Sequence, residues 1–325
     1  MPISSLKPFP RTTLVVPATD PKKISKALGT NADIVCIDLE DSVPSDQKQS
    51  AREQVISHLR DRSHEHPKIQ LRINELCGAV GFQDLVETCG AISEHIDSYV
   101  IPKVCDAADL VYADRIIRDV SNMVGTCDSI GVVALIETAQ GLTNVNAIAR
   151  ATPRLQSLVF GSGDFAASLG APQKAIGGFD EYDESYRGHR WSFAMQSIIV
   201  AARANGLSAI DGPYARFTDL CGLRETALCA RSLGFDGKWC IHPAQVDPAN
   251  LHFLPTQTEV EEAHRILNLY EASVAQGVGA ISMEGTMIDQ ATVQRCTVII
   301  SRHNQFSLKT DAPSTHGEAL ACSTS

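Results

Sequence analysis

The sequence predicts an α/β protein built as a closed (β/α)8 barrel, the TIM-barrel architecture, with a C-terminal helical lid extension. Three observations carry that expectation. Short apolar runs of strand length alternate with helical stretches eight times along 325 residues, a length that suits one large barrel. The runs are apolar almost throughout, as strands buried on both faces of a parallel sheet are. Nearly every run then ends on a reactive or polar group: Thr19, Glu40 and Asp41, Arg72 and Asn74, Lys103, Glu137, Asp164, Asp211 and His242. A barrel gathers all its C-terminal strand ends around one mouth, whereas the main alternative, a doubly wound open sheet, spreads them along an edge.

In chain order, Thr13 to Val16 forms the first strand, stopped by Pro17, and Asp20 to Leu28 the first helix. Ile34 to Ile37 is the second strand, followed by a helix from Asp46 to Leu59. Ile69 to Asn74 and Tyr99 to Lys103 are the third and fourth, with helices over Gly81 to Ile92 and Asp106 to Val120. Val132 to Ile136 and Leu158 to Phe160 are the fifth and sixth, joined by one helix. An irregular insertion, Pro172 to Arg190, is rich in glycine and charge, and a helix from Tyr186 to Ala204 follows it. Ser208 to Asp211 is the seventh strand; a helix from Phe217 to Leu233 leads to the eighth, Lys238 to Ile241. Past the barrel, residues 256–302 hold a helix over Thr258 to Gln276, a break at Gly277 to Ala280 and a last helix over Thr292 to Ser301. The expected domains are thus a catalytic barrel over 1–255, a lid segment over 256–302 and a polar, aperiodic tail over 303–325.

Composition narrows the function. The net charge of −10 argues against nucleic acid as a partner, and no apolar run reaches the ~18 residues of a membrane span. The ten cysteines are scattered without a CxxC pair, which points to a reducing compartment and no structural zinc. The N-terminus lacks an apolar signal core, so the cytoplasm, or an organelle matrix, is the expected location.

The stretch that organises the chain is GVVALIETAQGLTNVNAIARATPRLQSLVFGSGDFAASLG, from Gly131 to Gly170. A right-handed crossover sets its two strands side by side, with Glu137 and Asp164 at their C-terminal edge. Two carboxylates about one strand spacing apart, ~4.8 Å, repel unless a proton or a cation lies between them. Each alone reads equally well as an acid in the first turn of a helix, favoured by the dipole. The pair points to a divalent metal. Arg72, at the end of LRIN, is either a mouth ion pair with Glu40 or Asp41 or a fixed guanidinium for a carboxylate or enolate oxygen. His242, before a proline, reads as a structural hydrogen-bond partner.

VPATDPKKISKAL, IDLEDSVPSDQKQSAR, LRIN, IPKV, ALIETAQGL, VFGSGDFAASLGA, AIDGPY, GFDGKWCIHPAQV and GTMID stand in the order found in citrate lyase β-subunit-like enzymes. On these motifs, over residues 12 to 300, the chain resembles the HpcH/HpaI aldolase superfamily, which includes malyl-CoA and citramalyl-CoA lyases. The resemblance implies a magnesium ion held by Glu137 and Asp164, with Glu40 and Asp41 holding its waters, and Arg72 on the substrate. It implies that Lys22 and Lys26, one helix face after the first strand, meet the phosphates or pantetheine of coenzyme A, with Thr19, Ile210 and Asp211 also on the substrate; the ordinary reading of the lysines is a solvated surface. Asp289 would be the lid acid/base that reaches a neighbouring subunit's mouth, in a homotrimer or homohexamer; the plain alternative is a helix cap. Acyl-CoA and a 2-oxo acid are the implied small-molecule partners.

The chain departs from the family pattern in three places. Ala18-Thr19-Asp20 replaces the frequent Gly-Asn-Arg, so an arginine for coenzyme A is missing. Gly163 replaces the glutamate that commonly precedes the metal aspartate, a spelling closer to aldolases of free 2-oxo acids. Gln290-Ala291 follows Asp289 where a proline is usual. The expected activity is therefore magnesium-dependent cleavage or formation of a β-hydroxyacyl-CoA such as malyl-, citramalyl- or citryl-CoA. A malyl-CoA thioesterase, a malate-synthase-like activity or a CoA-independent 2-oxo acid aldolase is the alternative.

Overall fold

The computed structural model describes residues 9–60, 67–126, 129–184, 189–275 and 280–307. These fall into two compact units, Phe9–Phe253 and the segment from Leu254 onward.

The first unit is the expected barrel. Its strands are β1 (Thr12–Pro17), β2 (Ile34–Asp38), β3 (Lys68–Arg72), β4 (Ser98–Ile101), β5 (Gly131–Ile136), β6 (Leu155–Phe160), β7 (Ser208–Asp211) and β8 (Gly237–Cys240). They close in sequence order, every pair parallel, with β1 bonded to both β2 and β8. The helices are α1 (Pro21–Leu28), α2 (Lys48–Arg60), α3 (Ala79–Ile92), α4 (Ala107–Val124), α5 (Ala139–Thr143), α6 (Val145–Ile148), α7 (Ser162–Leu169), α8 (Glu181–Glu184), α9 (Ser192–Ala204), α10 (Leu220–Leu233) and α11 (Val246–His252). Side-chain caps start several of them: Asp20 on α1, Asp106 in a capping box on α4, Thr138 on α5 and Asp219 on α10.

Alternate strand residues point to opposite faces, and that rule places the site. Val15, Cys36, Val100, Val133, Leu135, Val159, Ile210 and Trp239 fill the lumen. The residues between them pack outward in the large shell under the helices. Two steps beyond Cys36 and Leu135 come Asp38 and Glu137, so both carboxylates face inward at the mouth. Arg72 stands beside Asp38 in the ladder, its guanidinium 5.8 Å over the Trp239 ring. Asp211 follows Ile210 and Lys238 precedes Trp239, so this pair lies on the outer face, under the helices.

The second unit holds α12 (Gln257–Val274), an antiparallel hairpin of β9 (Ile281–Met283) and β10 (Thr286–Ile288), and α13 (Gln290–Ser307). Glu284 and Gly285, at φ 53 and 80, supply the two left-handed residues of a tight hairpin turn. Ala263, Ile266, Ile288 and Cys296 form its small core.

Several boundaries differ from expectation. Strand β6 begins at Leu155, three residues early, because exposed Gln156 breaks the apolar run. The single helix expected after β5 is two short ones, turning at Asn144. The insertion contains α8, and the helix expected from Tyr186 begins at Ser192; residues 185–188 lie outside those described. The break at Gly277 to Gly279 also lies outside them. Helix α13 runs to Ser307, so His303 to Ser307, assigned to the tail, is helical; the rest of the tail is not among the described residues. Cys36, Cys77, Cys89, Cys105, Cys229, Cys240 and Cys296 are free thiols, while Cys221 is disulfide-bonded, which the scattered spacing did not suggest. Among the described residues no helix is long and apolar enough to cross a membrane.

Candidate active site

The C-terminal ends of β2 to β6 bring one charged cluster together. Glu137, 2% exposed, accepts a hydrogen bond at Oε1 from the Lys103 main-chain N–H at 2.8 Å. Its other oxygen presses on the start of α7: a Cβ on Gly161 would lie 2.4 Å from Glu137 Oε2. A glycine there is what lets the carboxylate and the helix end share the space. Asp164 sits in the first turn of α7, half-buried, and its charge is felt at Glu137.

Burial, with Glu40 and Asp164 adding to it, pushes the Glu137 carboxyl up to about 8. Glu40 is pushed up to about 7, again by burial first. Glu40 Oε2 comes within 2.9 Å of Arg72 Nη1 yet lacks hydrogen-bond alignment and has no other partner among the described residues. Ser162 Oγ, at the head of α7, is buried and unpartnered in the same sense. Carboxylates driven toward protonation beside orphaned oxygens are the donor set of a hard cation, which would restore their charge. Among the described residues no three His, Cys, Asp or Glu form a metal-holding group. Glu137 and Asp164 could hold such an ion and leave the remaining positions to water and substrate, an arrangement that suits magnesium-type coordination.

Arg72 lies opposite. Its Nε and Nη2 each donate to Asp38 at 2.7 Å, a bidentate pair, and Nη1 donates to Asp41 at 3.1 Å. Burial opposes the guanidinium charge, but Asp38 outweighs it and holds Arg72 firmly protonated. Asp38 in turn stays below its ordinary value, its burial outweighed by the same arginine. Lys103 ties the halves together. Its backbone is left-handed, φ 47, its N–H holds Glu137, and its Nζ reaches Glu40 at 3.1 Å and Glu75 at 2.8 Å. A cleft of about 450 Å³ adjoins the cluster at Glu40, Asp41 and Lys103 and runs along the loops after β2 and β3, past Lys48, Asn74 and Glu75; Arg72, Glu137 and Asp164 do not line it.

Residues 11–243 match the HpcH/HpaI aldolase/citrate lyase family. The chain belongs to this family. That membership makes it a carbon–carbon lyase. The L-malyl-CoA/β-methylmalyl-CoA lyase of Rhodobacter capsulatus is 36% identical over 296 residues, covering 89% of this chain and 93% of that one. The (3S)-malyl-CoA thioesterase of Cereibacter sphaeroides is 35% identical over 286 residues, 87% of this chain and 90% of its own. Among solved structures, the CitE protein of Mycobacterium tuberculosis in complex with magnesium, acetoacetate and coenzyme A is 28% identical, with a TM-score of 0.73 over 91% of this chain and 98% of that one.

Within this lyase, Glu40, Asp41, Arg72, Glu137 and Asp164 share one mouth. Other residues named from the sequence sit elsewhere or are engaged. Lys22 and Lys26 are exposed on the outer face of α1, away from buried Ile24 and Ala27. Thr19 is half-buried in the loop before α1, and Asp20, standing where the family's arginine would be, caps that helix through Lys23 N at 3.0 Å. Ile210 packs in the lumen. The Asp211 carboxylate is a correction: it is paired with fully buried Lys238 on the barrel's outer face and is not presented to the mouth. Asp289 belongs to the second unit, where its Oδ1 accepts from Thr292 N at 3.0 Å and caps α13. His242 caps the turn after β8 through Ala244 N at 3.2 Å and stacks on Phe217. Asp38 and the main chain of Lys103 are site residues that the sequence reading missed; the two-residue step from Cys36 to Asp38 was the available signal.

Proposed function

We propose that this chain is a magnesium-dependent lyase that cleaves a β-hydroxyacyl-CoA to a 2-oxo acid and an acyl-CoA, or joins them in reverse, with malyl-, citramalyl- and citryl-CoA as candidate substrates. The carrying observation is buried Glu137, pushed up to about 8 beside Asp164 and the unpartnered oxygen of Glu40. The malyl-CoA lyase relative and the magnesium-, acetoacetate- and coenzyme-A-bound neighbour support the substrate class. Magnesium, held by Glu137 and Asp164, would supply Lewis-acid polarisation at the oxygen that becomes the oxo group.

The chain's own residues do the rest. Asp38 fixes the plane of Arg72 through two hydrogen bonds, leaving Nη1, whose hydrogen-bonded partner is exposed Asp41, as the face a substrate oxygen can take over. Lys103 keeps Glu40 and Glu137 in place, and Glu40 and Asp41 orient water. Lys22 and Lys26 meet the phosphates or pantetheine of coenzyme A, and Thr19 and Ile210 contact the substrate. Asp289, from a neighbouring copy in a homotrimer or homohexamer, moves the proton on the carbon beside the thioester.

Mass spectrometry of products from malyl-CoA and its homologues tests this reading. A 2-oxo acid with acyl-CoA is expected. Free hydroxy acid with free coenzyme A, the outcome the thioesterase relative favours, would replace lyase by thioesterase. Full activity on free acids, unchanged by coenzyme A esters, would remove the thioester requirement. Arg72→Lys, which keeps charge but loses the fork, should lower kcat by about 10²-fold. An unchanged kcat would return Arg72 to a purely structural ion pair.

A further inference from the structure

The insertion between α7 and α9 takes no part in the site described so far, yet it is firmly built. Asp180, nearly buried, accepts hydrogen bonds from the N–H groups of Lys174 at 2.8 Å, Ala175 at 3.2 Å and Tyr182 at 3.0 Å, and from Arg190 Nη2 at 2.9 Å. The Ile176 carbonyl accepts from Ala215 N at 3.1 Å. Gly177, at φ 69, lies against the loop after β7, where a Cβ would come within 1.9 Å of the Pro213 carbonyl oxygen. Glycine alone permits that conformation and that approach.

This strap exposes two large apolar side chains, Ile176 and Phe179; Phe179 packs edge-on against His189 at 5.0 Å, whereas Ile176 turns toward α7. Ala175 is buried beneath it, but Ile176 is 42% exposed. Ile176 lies against the first turn of α7: a Cβ on Gly163 would meet its Cδ1 at 3.5 Å and its Cγ2 at 3.6 Å. Gly163 immediately precedes Asp164 and, having no side chain, leaves the space between the isoleucine and that turn open. With its carbonyl tied to Ala215, a branched apolar group thus stands half exposed beside the turn that carries Asp164. Its shape suits contact with an alkyl group of a ligand.

We propose that Ile176 is a specificity-determining residue, an apolar wall beside Asp164 that sets the size of alkyl substituent accepted on the 2-oxo acid half of the substrate. The inference rests on the lyase reading above. In that reading the oxo acid half is the part anchored next to Glu137 and Asp164, so the carbon behind its carbonyl meets the neighbours of Asp164, while the thioester leads away.

The test is condensation of acetyl-CoA with glyoxylate, pyruvate and 2-oxobutyrate by the full-length enzyme, read as kcat/KM for each acid. Ile176→Ala should raise the ratio of 2-oxobutyrate to glyoxylate by about tenfold, the discrimination that one or two methylene-sized contacts supply. Ile176→Val, which removes one methyl and keeps the strap folded, should move the ratio the same way by about threefold, and it decides the matter if the alanine variant fails to fold. An unchanged ratio in an active variant, or an equal loss on all three acids, overturns the wall alone. A wild-type enzyme inactive with every acid would instead remove the lyase reading, and the wall with it.

Discussion

Glu137→Ala and Asp164→Ala should each lower turnover by at least about 10³-fold while the barrel stays folded. The asymmetry follows from what these side chains do. Glu137 is buried against its own charge, with its carboxyl pushed up to about 8, so deleting it removes repulsion with Glu40 and Asp164 and no large apolar contact. Circular dichroism of either variant should match wild type. Added magnesium should raise the wild-type melting temperature, since a ligand at 100 times its Kd stabilises by about 2.7 kcal/mol, and should leave both variants unmoved. Near-normal activity of either variant without added metal would show that the metal site lies elsewhere.

Asp289→Asn should cost at least about 10²-fold in kcat, the range a general base supplies, with little loss of stability. The structure makes this a clean substitution. Asp289 caps α13 through Thr292, and asparagine caps a helix about as well as aspartate while losing the basic carboxylate. A purely capping role therefore predicts almost no change. Mixing subunits then separates action within a chain from action between chains. An Asp289→Asn chain mixed with an Asp164→Ala chain, each inactive alone, should regain partial activity if the lid of one copy serves the barrel of another. Asp164 is a better partner than Arg72 for this test, because removing Arg72 would strand buried Asp38 without its counter-ion. Mixed oligomers that assemble but stay inactive would remove action between chains. An active Asp289→Asn protein would remove the base assignment itself.

The barrel was legible because parallel strands buried on both faces are written as uninterrupted apolar runs, and because turn residues separate them. What period and composition do not encode is which face each strand end shows the mouth. Asp211 and Glu137 look alike in sequence, an acid closing an apolar run, yet one faces outward to Lys238 and the other inward to Lys103. Only the lumen register, set by Ile210 and Leu135, separates them. Asp38 was passed over for the related reason that IDLED offers three acids in four residues, and a list of acids has no geometry. The hairpin of β9 and β10 escaped notice because its turn, Glu284-Gly285, is not an Asn-Gly or Asp-Gly signal. The placing of Glu137 and Asp164 at neighbouring strand ends was readable because it depends on sequential neighbours, β5 and β6, whose crossover has a fixed hand.

The seam where β1 meets β8 has a consequence for how this molecule is made. Thr12 pairs with Lys238 in that ladder, and the Thr12 hydroxyl bonds Asn250 across a separation of 238 residues. Among the described residues no other strand pairing in the wall spans so much chain, since β1 to β8 otherwise neighbour one another in order of synthesis. A nascent chain can build its strands outward from β2, but the ring stays open until residues near Asn250 have left the ribosome. Until then two unpaired strand edges are exposed together, and the loop that must be closed is the longest in the fold. Aggregation during synthesis, and sensitivity to C-terminal truncation, should therefore concentrate on this one seam.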